Sequence, residues 1–216
     1  MKYFISLLFG LLSLSVPVFL VLFSVGILLT PLYIQIEYRL PGFPEDLYGF
    51  SKEERLYWAN VTRKYLIENQ DIDALASQEL DENTPLYNSR ELRHLFDVKV
   101  VVRSAAIVFI GVILFMGMMA YWAFKSGYIN RFKSALSQGG WLTIGIILSI
   151  MVYLVFNFDS LFENFHRIFF EGDTWLFRYS DTLIRLFPVR FWRDAFIWIG
   201  IMTFGAGFGI GYFVKE

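Results

Sequence analysis

The chain has no cysteine, only two histidines and six prolines in 216 residues. Without cysteine it can hold no disulfide, thiolate nucleophile or thiolate metal site, and it carries no lipid anchor on an N-terminal cysteine of its own. Charge is missing too, but only in places: 18% of residues are charged, and they cluster while long stretches hold none, so the formal net charge of −1 says little. What fills those stretches is apolar. Hydrophobic residues make up 56% of the chain and aromatic ones 19%, beyond the apolar share of an ordinary water-soluble domain. The composition is that of a protein dissolved in lipid.

Crossing the hydrocarbon core takes about 20 mostly apolar residues. Four segments qualify, at about 3–32, 104–124, 141–156 and 191–214. The first is too long for a signal-peptide core and lacks a small-x-small cleavage site, which predicts a retained helix despite Pro17. Lys2, Lys125, Arg131, Lys133 and Lys215 flank the spans on one side, which the excess of basic residues assigns to the cytoplasm together with both termini. The segments 33–103 and 157–190 then lie outside, and every acid except Glu216 falls in or beside them. The expected fold is an all-α integral membrane protein, a four-transmembrane-helix bundle with an extracytoplasmic helical subdomain, formed by the whole chain as one membrane domain. Gly200, Gly205, Gly207, Gly209 and Gly211 predict a close helix seam in the last span.

In the outer segments, Ser51 with Glu54 reads as a capping box for a helix running to about Asn69, with Tyr57, Val61 and Tyr65 on one face. Ser89 is a candidate cap for a helix that continues into the second span, and Asp181 for a short piece from Leu183 to Phe187. Pro188 suits the first turn of the last span.

Both histidines, His94 and His166, fall in these outer segments near the predicted hydrocarbon boundary. Asp97, three residues after His94 on the same helical face, can orient its imidazole, and Asp173 can do so for His166 across a glycine turn. Pairing of these acids with Arg93, Arg167 or Arg178 in a solvated rim is the alternative. No His-Glu-x-x-His helix or carboxylate cluster marks a metal site, and neither a Gly-rich phosphate loop nor a Gly-x-Ser-x-Gly elbow appears. The spans carry no acid or base at their centres, which argues against an ion or proton path. Histidine acid/base chemistry on a lipid or lipidated substrate at the outer leaflet is what remains, with a non-enzymatic scaffold or receptor, or a related lipid acyltransferase, as the rivals.

Two blocks sharpen this. Pro85-Leu86-Tyr87-Asn88-Ser89-Arg90-Glu91-Leu92-Arg93-His94-Leu95-Phe96-Asp97-Val98-Lys99 and His166-x-x-Phe169-Phe170-x-Gly172-Asp173-x-Trp175, the latter followed by Asp181-Thr182-Leu183-Ile184-x-Leu186-Phe187-Pro188, resemble the two histidine blocks of the lipoprotein intramolecular transacylases (Lit) and their four-span relatives. The likeness extends over nearly the whole chain. It implies an acyltransferase of the bacterial plasma membrane that acts on diacylglyceryl-modified lipoproteins among membrane phospholipids, with no cofactor, metal or nucleic acid. The reaction it implies moves the sn-2 acyl chain of the S-diacylglyceryl cysteine to that residue's α-amino group. By the same resemblance His94 and His166 are the catalytic pair, in either assignment of acid and base. Asp97 and Asp173 orient them, Arg167 steadies the oxyanion, and Arg93 and Trp175 contact substrate.

Overall fold

The structure, a computed structural model, describes residues 2–81 and 84–214; Lys215, read above as the inner flank of the last span, and Glu216 lie outside the described residues. Four long helices dominate: α1 (Lys2–Leu28), α5 (Ser89–Lys125), α6 (Ile129–Phe169) and α8 (Val189–Phe213), each long and apolar enough to cross a membrane. Between them lie α2 (Pro31–Glu37), α3 (Lys52–Ile67), α4 (Asp73–Ala76), the short antiparallel pair β1 (Glu79–Asp81) and β2 (Thr84–Pro85), and α7 (Thr182–Leu186).

The first apolar run is not one helix to Leu32. Leu28 ends α1 and Pro31, which has no N–H to give, takes the first turn of α2. The third span belongs to a longer helix that starts at Ile129 and breaks at Asn157, whose φ of −158° and ψ of 73° are not helical.

The chain folds into two compact units. One comprises the described residues of 1–26, 105–156 and 197–216 and is built from segments of the four long helices with the turn that joins α5 to α6. Lipid and these helices are equally apolar, so close approach and a few buried hydroxyl bonds hold them together. Gly139 lies against Val16, and Gly140 against the backbone of Gly207 and Gly211. Ser24 and Thr203 share a buried hydrogen bond of 3.0 Å, and Ser137 donates to the Gly211 carbonyl at 2.8 Å. Of the five seam glycines, Gly200, Gly207 and Gly211 make such contacts, while Gly205 and Gly209 face open space. Ile107, Ile110, Leu114, Met118, Tyr121, Val155 and Phe156 are exposed, an apolar surface that suits acyl chains.

The other unit comprises 27–104 and 157–196. Its core gathers Ile34, Ala59, Tyr65, Leu75, Leu86, Tyr87, Leu95 and Leu186. Several polar groups inside it are satisfied: Arg55 donates to the carbonyls of Arg185 and Pro44 at 2.9 and 2.7 Å, and Arg185 forms a buried two-pronged ion pair with Asp46. Lys99 reaches the carbonyls of Tyr65 and Gln70, both at 2.6 Å, and so closes the end of α3. The predicted capping box at Ser51 and Glu54 is present. The packed face of α3, however, carries Arg55, Ala59, Thr62 and Tyr65, whereas Tyr57 is exposed, so the Tyr57–Val61–Tyr65 face is corrected by the three- and four-residue spacing of the buried set.

Two predicted caps also change. The first turn of α5 is capped by Asn88, not Ser89: the Asn88 Oδ1 accepts from the N–H groups of Arg90 and Glu91, and the Asn88 N–H donates back to Glu91 Oε2. Asp181 stands just before α7, yet its carboxylate accepts from the N–H of Arg178 and from Asn88 Nδ2. The free N–H of Leu183 is met instead by Glu91 Oε1 at 2.7 Å.

Candidate active site

Both histidines belong to the second unit. His94 lies in the first turns of α5, ahead of its apolar stretch, fixed by the Asn88–Glu91 cap. His166 lies on the part of α6 beyond the break, where Asn157 Oδ1 accepts from the Ser160 N–H at 3.1 Å and starts the helix afresh.

The fold brings residues 72 positions apart in sequence into one site: the two imidazoles lie roughly parallel, 22° apart in plane with centroids 6.2 Å apart. Aromatic rings wall them in. Phe170 lies 4.8 Å and Phe177 5.3 Å from the His94 ring, centroid to centroid, and Phe162 and Trp175 lie 4.1 and 5.0 Å from that of His166.

The ring protons are distributed by their partners. His166 Nδ1 is 2.7 Å from the carbonyl of Phe162. A carbonyl can only accept, so Nδ1 carries the proton and Nε2 of the neutral ring keeps its lone pair. His94 is 6% exposed, and its Nδ1 is buried with no hydrogen-bond partner among the described residues. Burial, and then repulsion from His166, push the His94 pKa down to about 4. Burial also lowers the His166 pKa, partly offset by the Phe162 carbonyl, which favours the charged ring. Both rings are neutral at pH 7.

The residues expected around them are placed unevenly. Asp97 is half-buried, and neither it nor Asp173 bonds to an imidazole; the backbone carbonyl of Phe162 does the orienting that Asp173 was expected to do. Arg167 is ion-paired with Glu163, one turn back on its own helix, and both are exposed. Asp173, Arg167 and Trp175 line a recess of about 330 Å³, together with Phe162 and Glu163. Arg93 is exposed on α5. Sequence reasoning missed Phe162, Phe170 and Phe177 as walls of the imidazole pair; the aromatic density of 162–170 was the visible signal. Among the described residues no cluster of three or more His, Cys, Asp and Glu side chains could hold a metal ion.

A protein-family model, "Lipoprotein intramolecular transacylase Lit", matches residues 10–192. The chain belongs to this family. As a Lit family member it is an acyltransferase, a lipoprotein intramolecular transacylase, and a multi-pass membrane protein. An uncharacterized protein of Aquifex aeolicus (strain VF5) is 31% identical over 172 residues, 80% of this chain and 76% of that one. Among solved structures, the membrane integral lipoprotein intramolecular transacylase Lit from Bacillus cereus superposes with a TM-score of 0.81 at 21% identity, covering 97% of this chain and 94% of that one. Two variants of it, with one histidine replaced by arginine or by alanine, give TM-scores of 0.73 at 20% identity over 99% of this chain and 91% and 93% of theirs. The all-α architecture is thus shared with Lit family proteins at low sequence identity.

Proposed function

We propose that the enzyme transfers the sn-2 acyl chain of the diacylglyceryl group on a lipoprotein's N-terminal cysteine to that cysteine's α-amino group, giving a lyso-form lipoprotein. The observation that carries the reading is the imidazole pair: two neutral rings 6.2 Å apart between aromatic walls, one with its Nε2 lone pair free because Nδ1 is committed to the Phe162 carbonyl. The reaction is ester aminolysis. The amine nitrogen attacks the ester carbonyl, the C–N bond forms, the glyceryl C–O bond breaks, and one proton passes from nitrogen to the departing oxygen. An α-amino group of pKa about 8 is mostly protonated at neutral pH, so a base beside it raises the reactive fraction.

In this reading His166 is the base, through Nε2, and carries the proton until the glyceryl oxygen takes it. His94, neutral through its burial, cannot serve as an imidazolium at pH 7; it acts as an N–H donor that polarises the ester. Its buried, unpartnered Nδ1 costs about 1–3 kcal/mol while unmet, a cost that a substrate group would relieve. Nucleophile and ester belong to one molecule, so holding the headgroup in an attack geometry supplies much of the rate. Trp175, Asp173 and Arg167, lining the recess beside His166, are assigned to the substrate headgroup and the start of the polypeptide. The unit bearing the histidines is assigned to the extracytoplasmic face, because Lys125, Arg131 and Lys133 flank the α5–α6 turn.

The test is mass spectrometry of a lipoprotein N-terminus from cells expressing wild type, His94→Ala or His166→Ala. Lyso-form with wild type and diacyl form with both folded variants is expected. Lyso-form persisting in both would remove the catalytic assignment.

A further inference from the structure

We infer that Glu91 is a positioning residue for His94: its carboxylate ties α5 to the start of α7 and thereby holds the aromatic wall against the His94 ring. This rests on the reading of His94 as a working residue of the site. Glu91 is 1% exposed and one turn before His94 on α5, and the charges that act on it are those of Arg185 and Asp181. Both oxygens are used. Oε2 accepts from the Asn88 N–H at 2.8 Å within its own helix cap, and Oε1 accepts from the Leu183 N–H at 2.7 Å, 92 residues away. A carboxylate in the core is held there by these two donors against the cost of desolvation.

The chain between His166 and Leu183 carries Phe170, Trp175 and Phe177, whose ring centroids lie 4.8–5.3 Å from an imidazole. It turns at Gly172, whose φ of +60° suits glycine, and returns to α5 and its cap residue through three hydrogen bonds. Two of these are exposed: Arg90 Nη1 to the Leu176 carbonyl at 3.0 Å, and Asn88 Nδ2 to Asp181 Oδ1 at 3.3 Å. Water competes for both. The Glu91–Leu183 bond is the buried one, so it sets where the wall stands. Glutamine at this position keeps one acceptor but turns an NH2 toward the other N–H, leaving a buried donor unmet. Aspartate keeps the charge and the local cap but is too short to reach both donors.

The experiment is a histidine ring-proton NMR titration of the full-length protein in detergent micelles, with kinetics alongside. Only two histidines are present, so His94→Ala and His166→Ala spectra assign every signal. In Glu91→Gln and Glu91→Asp the His94 pKa is expected to rise by about one unit toward its free value, a tenfold change in protonation at a given pH. His166 should move less, and kcat should fall about tenfold with KM within about twofold. Arg90→Ala should leave the His94 titration in place. A His94 titration unchanged in a folded Glu91 variant overturns the proposal, and so does loss of the fold in both, which would make Glu91 merely structural. Retained activity in His94→Ala would instead defeat the catalytic reading, and the titration would still report on the tether.

Discussion

Acidification should cost this protein stability through His94, by an amount the structure lets one work out. In the folded chain the ring is 6% exposed and its pKa is pushed down to about 4, while in the unfolded chain it returns to the ordinary 6.5. Between those values the unfolded chain binds a proton that the folded chain refuses. The stabilisation is therefore complete above about pH 6.5 and is lost as pH falls through about 4. At about 1.36 kcal/mol per unit, the loss reaches about 2 kcal/mol at pH 5 and about 3 kcal/mol at pH 4 relative to pH 7.5. His94→Phe removes the titrating ring and keeps a flat aromatic side chain against Phe170 and Phe177. Unfolding of wild type and His94→Phe in the same micelles, followed from pH 7.5 to 4, isolates this contribution because every other titrating group is common to both. Wild type should lose ground to the variant by about 3 kcal/mol, roughly 6–12 °C in apparent melting temperature for a chain of this size. A constant difference between the two across that range would refute the assignment of a dry, neutral His94.

Glu37 should show the opposite sign. Fully buried, with Asp194 beside it, its carboxyl is pushed up to about 7 against the pull of Arg190 and Arg193; the stability that comes with the bound proton is present at pH 4.5 and lost as pH rises through 7, so Glu37→Gln should lose less stability than wild type between pH 5 and 8 in the same unfolding assay. Gly140→Ala would set a Cβ 2.6 Å from the Gly207 carbonyl and the Gly211 nitrogen, backbone atoms that cannot step aside, and should lower thermal stability in micelles by about 1–3 kcal/mol, whereas Gly145→Ala, with nothing within 4 Å, should be tolerated.

Much of the framework is legible in the chain because its signals are local. Four uncharged apolar runs separate by hydropathy alone, and the Ser51–Glu54 box works over three residues. Where neighbouring residues compete for one local role, spacing is not enough: Asn88 and Ser89 are both good caps, and the reciprocal bond from Glu91 decides for Asn88. Likewise the glycines of α8 mark a seam, but only those turned toward α6 are used.

The site divides along the same line. Composition and order of residues by themselves pointed to imidazole chemistry, since there are two histidines, both beside the predicted membrane boundary, and no thiol. Only the tertiary structure decided that the rings meet, that a carbonyl rather than a carboxylate holds His166, and that Glu91 spends an oxygen on Leu183. Helix periods and caps are settled by neighbours a few residues apart, so they can be read along the chain. The partner of a buried polar group is whatever atom packing brings within about 3 Å, and that depends on how every element between the two residues has folded.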